Sequence, residues 1–118
     1  MWRSRMAWKV AANIKRYEIY LANLSPTLGA EISKTRPVVI VSPDEFNTYL
    51  QTVTICPLTT KIHPRWPTRL PIFCAGKKAE VAVDQIRTID RGRLLRRISV
   101  LTKDESVQLR RIISDTYC

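Results

Sequence analysis

Gly29-Ala30-Glu31-Ile32-Ser33-Lys34-Thr35-Arg36-Pro37-Val38-Val39-Ile40-Val41-Ser42 is a polar turn that ends in an arginine and opens into an apolar, β-branched run. Four consecutive apolar residues, Val38 to Val41, describe a strand buried on both faces rather than one with a wet side. Pro37 fixes its own φ and drives Arg36 into an extended conformation. Proline is best tolerated at the first residue of a strand or on an edge. Arg36 is therefore expected at the mouth of a sheet on a stiff backbone. A guanidinium held there can grip a phosphate or carboxylate with two parallel hydrogen bonds. It can equally be an ordinary strand-edge charge or a structural ion pair.

Outward from this run, short apolar segments alternate with turn chemistry. Tyr17 to Leu24 alternates as a strand, and Ser25-Pro26-Thr27-Leu28-Gly29 breaks it. Pro43-Asp44-Glu45-Phe46-Asn47 reads as a turn or short helical loop. Thr52 to Leu58 is a second β-branched run, followed by a polar loop from Thr59 to Pro67. Arg69 to Cys74 is a short strand and Ala75-Gly76-Lys77-Lys78 a turn. Glu80 to Ile89 alternates around Val81, Val83 and Ile86 and reads as one strand. The period then changes. Thr102 and Glu105 have capping-box spacing, and Leu109, Ile112, Ile113 and Thr116 fall on one helical face. Five to seven short strands followed by one amphipathic helix describe a mainly β, α+β domain. The expected architecture is a small, strongly bent antiparallel sheet or barrel carrying a C-terminal helix.

A chain of 118 residues is expected to form one domain with a modest core. Its charge is lopsided: 20 Lys and Arg against 10 Asp and Glu, a net +10. That balance points to an anionic partner such as nucleic acid, an anionic membrane surface or an acidic protein. No apolar stretch is long enough to span a membrane. The cysteines, Cys56, Cys74 and Cys118, are odd in number and lack CxxC spacing, which argues against a disulfide framework or zinc site and suits a reducing cytoplasm. Cys56 reads as a small core hydrophobe, since no partner base is in sight. Residues 1–14 read as a basic tail ahead of the domain, or as an early start with Met6 a second candidate. Their composition also superficially suits an organellar transit peptide, the less favoured reading.

Chemistry is narrowed further by what is missing. His63 is the only histidine, there is no Gly-rich phosphate loop, and metal-ligand and Ser-His-Asp spacings are lacking. No metal or cofactor is expected. A lone loop histidine is usually solvated. What remains is arginine, hydroxyl and carboxylate chemistry: Arg36, Thr59 and Thr60 at the end of an apolar run, and Gln85 and Arg87 near a strand end. Each has a plainer reading: strand-end threonines cap local backbone, and the Gln85–Arg87 segment can be a cross-strand polar pair.

Four segments together resemble the MazF/PemK toxins. Residues Tyr17 to Glu31 are similar to the family's opening, Lys34 to Ser42 to its arginine–proline strand, Cys56-Pro57-Leu58-Thr59-Thr60 to its next strand end, and Asp84-Gln85-Ile86-Arg87-Thr88-Ile89-Asp90 to a fourth segment. Order and spacing agree from about residue 15 to 116, leaving residues 15–118 as the toxin-like domain. The resemblance implies a small SH3-like antiparallel barrel with a C-terminal helix, as in MazF, PemK and CcdB. It implies the toxin of a type II toxin–antitoxin pair: a cytoplasmic homodimer that cuts single-stranded RNA at short sequences without metal and thereby arrests translation and growth. It also implies a cognate MazE-like antitoxin whose acidic tail blocks the RNA groove.

Carried over by position, the resemblance implies catalytic roles for Arg36, Thr59 and Glu31, and RNA contacts for Thr60, Lys61, Gln85 and Arg87. One departure stands out: the family usually has glycine where this chain has Tyr17, and glycine there would permit a positive φ. The implied reaction is attack of the RNA 2′-hydroxyl on the adjacent phosphate, giving a 2′,3′-cyclic phosphate and a 5′-hydroxyl. Arg36 would neutralise the phosphoryl oxygens, Thr59 would donate to them, and Glu31 or solvent would carry a proton. The competing readings are a CcdB-like gyrase poison and a catalytically silent RNA-binding barrel. Against the first, the chain ends Asp115-Thr116-Tyr117-Cys118, without the Trp-Gly-Ile such poisons use.

Overall fold

A strand with apolar residues at every position needs a core on each side. The structure, a computed structural model that describes residues 13–24 and 34–118, supplies both. Strand β2 (Thr35–Ile40) sends Val39, with Val41 beyond it, into one core and Val38 and Ile40 into another. Its neighbours β1 (Glu18–Asn23) and β3 (Thr52–Thr59) divide the same way: Ile19, Cys56 and Leu58 face the first core, and Tyr20, Ala22, Val53 and Ile55 face the second.

The sheet is completed by β4 (Arg69–Cys74), β5 (Lys77–Ala82), β6 (Arg87–Asp90) and β7 (Leu94–Val100). All pairings are antiparallel, in the order β4-β5-β3-β2-β1-β7, with β6 also on β3. The eight-residue β3 is shared. Thr52 to Ile55 pair with β6, and Leu58 and Thr59 pair with β5. One long strand serving two partners bends the sheet into a half-barrel.

Two α-helices lie among the described residues. Helix α1 (Asp44–Tyr49) ends on the buried Arg91, whose guanidinium donates to the carbonyls of Leu50 (2.9 Å) and Asn47. An arginine there satisfies carbonyls that a helix C-terminus leaves unpaired. Helix α2 (Lys103–Tyr117) starts at the expected capping box: Thr102 Oγ1 accepts from the Glu105 N–H at 3.0 Å, and Glu105 Oε1 accepts from the Thr102 N–H at 2.9 Å. Its Leu109, Ile112 and Ile113 cover the first core. Thr116, expected on that face, is exposed. Instead Tyr117 reaches back, its hydroxyl donating to the Val83 carbonyl at 2.8 Å.

Two local expectations are corrected, and one strand was not anticipated. The single strand expected over Glu80 to Ile89 is two, β5 and β6, separated by a 3₁₀ turn at Val83–Gln85. The Val83 N–H leaves the ladder for the Thr68 carbonyl at 3.0 Å, so the chain steps from one segment of β3 to the next. The β4–β5 turn is only Ala75-Gly76, both at positive φ (53° and 77°), as a two-residue hairpin demands. Lys77 and Lys78 already belong to β5. Strand β7 carries no period-2 signature, because Arg96 and Arg97 interrupt it and its pairing with β1 shifts register twice.

Tyr17 adopts φ 74°, the conformation that a glycine would adopt freely. Its N–H donates to the Ile40 carbonyl at 2.7 Å and its carbonyl accepts from Leu101 at 3.0 Å, while its ring packs on the first core. The tyrosine thus keeps the backbone geometry and adds a buried edge. Of the tail expected at residues 1–14, residues 1–12 lie outside the described residues, and Ile14 packs in the second core. Among the described residues no helix is long and apolar enough to cross a membrane.

Candidate active site

Register decides which side chains meet. Strands β2 and β3 pair Val38 with Pro57, Val39 with Cys56 and Ile40 with Ile55. Arg36 and Thr59 lie just past the end of that ladder, on the neighbouring ends of the two strands. On the outer sides, Arg36 pairs with Ala22 of β1 and Thr59 with Glu80 of β5. Ala22 with Arg36 is thus one cross-strand pair and Thr59 with Glu80 another, with Cβ atoms about 4.5–5.5 Å apart within each pair. The ladder to β3 begins only at Val38, past the proline that lacks an N–H.

Arg36, Thr59 and Thr60 line a single cleft of about 240 Å³, floored by Pro37 and Leu58 and rimmed by Lys77. Arg36 is half-buried and Thr59 buried, while Thr60 is exposed. Thr59 Oγ1 accepts from the Lys61 N–H at 3.1 Å. This is the local backbone bond expected of a strand-end threonine, yet it uses only a lone pair. The hydroxyl proton is left to be donated to a ligand. The lining is mainly apolar, with Cys74, Ala79 and Ile98 beside Leu58, and its polar residues, Arg36, Thr59, Thr60 and Lys77, include two cations and no acid.

Around the Thr59–Glu80 pair stands an ion-pair network that the sequence did not reveal. Glu80 is 2% exposed and accepts from Arg69 at 3.3 Å and from the His63 N–H at 3.0 Å. Arg69 also donates to Asp84 at 2.9 Å and to the Lys61 carbonyl at 3.2 Å. Burial would push the Asp84 carboxyl up, but bonds from Arg69 and Thr68 outweigh it and hold the group below its ordinary range. The one available signal was Glu80 itself, a lone carboxylate inside Ala79-Glu80-Val81-Ala82. Lys77 was missed because it was read as part of a turn.

The other expected residues are spread more widely. Lys61 is exposed and Gln85 half-buried, and neither they nor Arg87 lines the cleft. Arg87 lies opposite Ile55 of β3, four residues along the strand from Thr59. Glu31 lies outside the described residues. Cys56 is fully buried, and burial, with Asp84 second, pushes its thiol up to about 12, which leaves it inert as a nucleophile. Among the described residues no three His, Cys, Asp or Glu side chains come together as a metal site. A wider recess of about 570 Å³ beside β1 and β7 carries Lys15, Arg96 and Arg97, but Glu18 already pairs with Arg97 at 3.3 Å. An anion there would meet a resident carboxylate.

A family model, the PemK-like, MazF-like toxin of type II toxin-antitoxin systems, matches residues 15–116 of the chain. The chain belongs to this family. The match spans both Arg36 and Thr59. Among solved structures, the Mycobacterium tuberculosis toxin MazF-mt6 is 25% identical with a TM-score of 0.72, over 85% of this chain and 95% of that one. MazF from Deinococcus radiodurans is 21% identical with a TM-score of 0.75, over 87% and 94%. A mycobacterial endoribonuclease in complex with its cognate antitoxin is 19% identical with a TM-score of 0.70, over 87% and 91%. The last two speak to the fold alone. The toxin therefore shares with them a mainly β half-barrel and C-terminal helix.

Proposed function

We propose that this toxin is an endoribonuclease that cuts single-stranded RNA by attack of the substrate's own 2′-hydroxyl. One observation carries the reading: Arg36 and Thr59, from neighbouring strands β2 and β3, line the same small cleft. Relatives of this fold include proteins named as endoribonucleases.

In this mechanism the scissile phosphate enters between Arg36 and Thr59. As the 2′-oxygen attacks, negative charge grows on the two non-bridging oxygens. Arg36 meets it with a fork fixed by the extended backbone before Pro37, and Thr59 donates its hydroxyl proton. Lys77 at the rim adds positive potential. The bond to the 5′-oxygen breaks, leaving a 2′,3′-cyclic phosphate and a 5′-hydroxyl. Arginine's high pKa makes it a poor base, so Glu31 or a water carries the proton from the 2′-hydroxyl. Thr60, Lys61, Gln85 and Arg87 guide the strand on either side. No step calls for a metal.

The toxin acts in the cytoplasm as a homodimer and is silenced by an acidic, MazE-like antitoxin. Support comes from the family, from relatives solved as complexes with antitoxin, and from the net charge of +10. The deciding experiment maps the cut ends of a long single-stranded RNA, then repeats the reaction on an oligonucleotide with one 2′-O-methyl group at the mapped site. That substrate should bind and remain intact. Cutting it, or finding 5′-phosphate ends, would make water the nucleophile and overturn the mechanism.

A further inference from the structure

The loop of residues 60–68 begins at the cleft wall and contains no acidic residue. Within it the rings of His63 and Trp66 stack in parallel, with centroids 3.9 Å apart and an interplanar angle of 8°. The Arg69 guanidinium lies 4.7 Å from the Trp66 ring centroid. The same arginine donates to the Lys61 carbonyl, and buried Glu80 holds the His63 N–H. The Trp66 N–H turns back to the His63 carbonyl at 3.0 Å. The loop is thus fastened at Lys61, His63 and Arg69, yet it leaves Trp66 45% exposed. Neither core uses that ring.

We infer that the His63–Trp66 stack is a nucleobase-binding subsite, which seats an unpaired base of the RNA next to the cut. The inference rests on the ribonuclease reading for its substrate. Trp66 is sandwiched between His63 and the Arg69 guanidinium, so the outer face of His63, backed by Trp66, offers a base a stacking partner whose ordering cost was met on folding. Lys61 and Arg65 in the same loop attract the flanking phosphates. The absence of carboxylates from the loop suits a polyanion. His63 is three residues from Thr60, so their Cα atoms are at most about 10 Å apart, a span of one to three nucleotides from the scissile phosphate. Glu80 and Arg69 act as positioning residues that hold the stack at that distance.

The test measures binding of 2′-O-methyl ten-mers of adenine and of uracil, which cannot be cut, by fluorescence anisotropy at fixed salt. A ten-mer of abasic sugar-phosphate is the control. Trp66→Ala and His63→Ala should weaken binding of the base-bearing probes about 5- to 150-fold, the worth of one stacked base at ~1–3 kcal/mol. Trp66→Phe should stay within a few-fold of wild type. The abasic probe should bind all four proteins alike, since it offers nothing to stack. Equal affinity for base-bearing RNA in wild type and variants overturns the subsite and leaves the loop to a protein partner. Equal weakening of the abasic probe also overturns it, because the residues would then only hold the loop's shape. If wild type shows the expected pattern but cuts no RNA, the subsite stands and the ribonuclease reading falls. If wild type cuts RNA while the variants bind as it does, the subsite falls alone. If wild type binds no RNA, both fall.

Discussion

Arg36 and Thr59 should lose activity together, not independently, because their places in one cleft let both grip one phosphate. Removing one preorganised donor from a charge-stabilising site typically costs ~10²–10³ in rate. Arg36→Ala and Thr59→Ala are each expected in that range. Were the residues to act on separate groups, the double variant would lose ~10⁴–10⁶ by simple addition of free energies. The shared cleft makes that outcome inconsistent with the proposed site, because a phosphate seated there meets both residues. Once the arginine fork is gone, the phosphate is no longer held against the threonine, and deleting the hydroxyl removes little more. The double variant should fall within about tenfold of the slower single variant. Arg36→Lys should lie between wild type and Arg36→Ala, since it keeps charge but not the fork.

The assay is single-turnover cleavage of an end-labelled RNA with enzyme in excess, so that the chemical step is read rather than product release. Thr60→Ala belongs in the same series and should lose less than Thr59→Ala, because Thr60 lies past the end of β3 and is exposed, whereas Thr59 is buried in the strand. Strictly multiplicative losses would separate the two residues and refute the shared-phosphate geometry. Near-normal turnover in Arg36→Ala would remove the arginine from the mechanism, and a reversed ranking of the threonines would move the site by one residue.

Cleavage should proceed fully in EDTA, with His63→Ala keeping kcat within a few-fold; activity lost in EDTA and restored by Mg²⁺ would require a metal step. Tyr17→Gly should be more stable to urea than Tyr17→Ala by about 1 kcal/mol, since both lose the ring but only glycine accepts φ 74° without strain; the opposite order would deny the positive φ. Asp84→Asn should be less stable than wild type at pH 7. Because the folded carboxyl titrates below its ordinary range, its contribution is present above about pH 4 and is lost as pH falls through the lower folded value; urea midpoints of the two proteins should converge in acid, and a constant gap would assign the loss to packing.

What the sequence made legible follows from range. Val38 to Val41 announced a two-faced strand, and the structure gives it two cores, because alternation is a property of neighbouring residues. The Thr102–Glu105 capping box was equally local. The Ala75-Gly76 hairpin was legible only as a turn, since its length depends on where Lys77 finds Cys74 across the ladder. The break between β5 and β6 was invisible. Val81, Val83 and Ile86 keep an apolar rhythm through it, and the cause is a bond from Val83 to Thr68, outside any local pattern. Arg36 and Thr59 could be singled out one at a time, but their meeting in one cleft is a fact of strand pairing that no single segment contains. Glu80 and Arg69 went unseen for the same reason. An acid and a base eleven residues apart carry no sign that both will be buried.

That buried network changes how the charge should be counted. The formal balance treats every acid as an offset to a cation wherever the two lie. In the folded toxin the acids are placed with care. Glu80 and Asp84 are spent on Arg69, and Glu18 on Arg97. Asp104 and Glu105 sit in the first turn of α2, where the helix dipole favours them. The cleft lining includes Arg36 and Lys77 and no acid among the described residues, and the adjoining loop adds Lys61 and Arg65 without one. The described lining of the cleft therefore carries only positive charges. A field of that kind draws in any flexible polyanion and is screened by salt over about 8–10 Å. On the proposed function, RNA and an acidic antitoxin tail meet the same field. What separates them is the chemistry within the cleft: a phosphate can be gripped by Arg36 and Thr59 and flanked by a stacked base, whereas a carboxylate tail can neutralise the cations but offers no ring to stack and no phosphorus to attack.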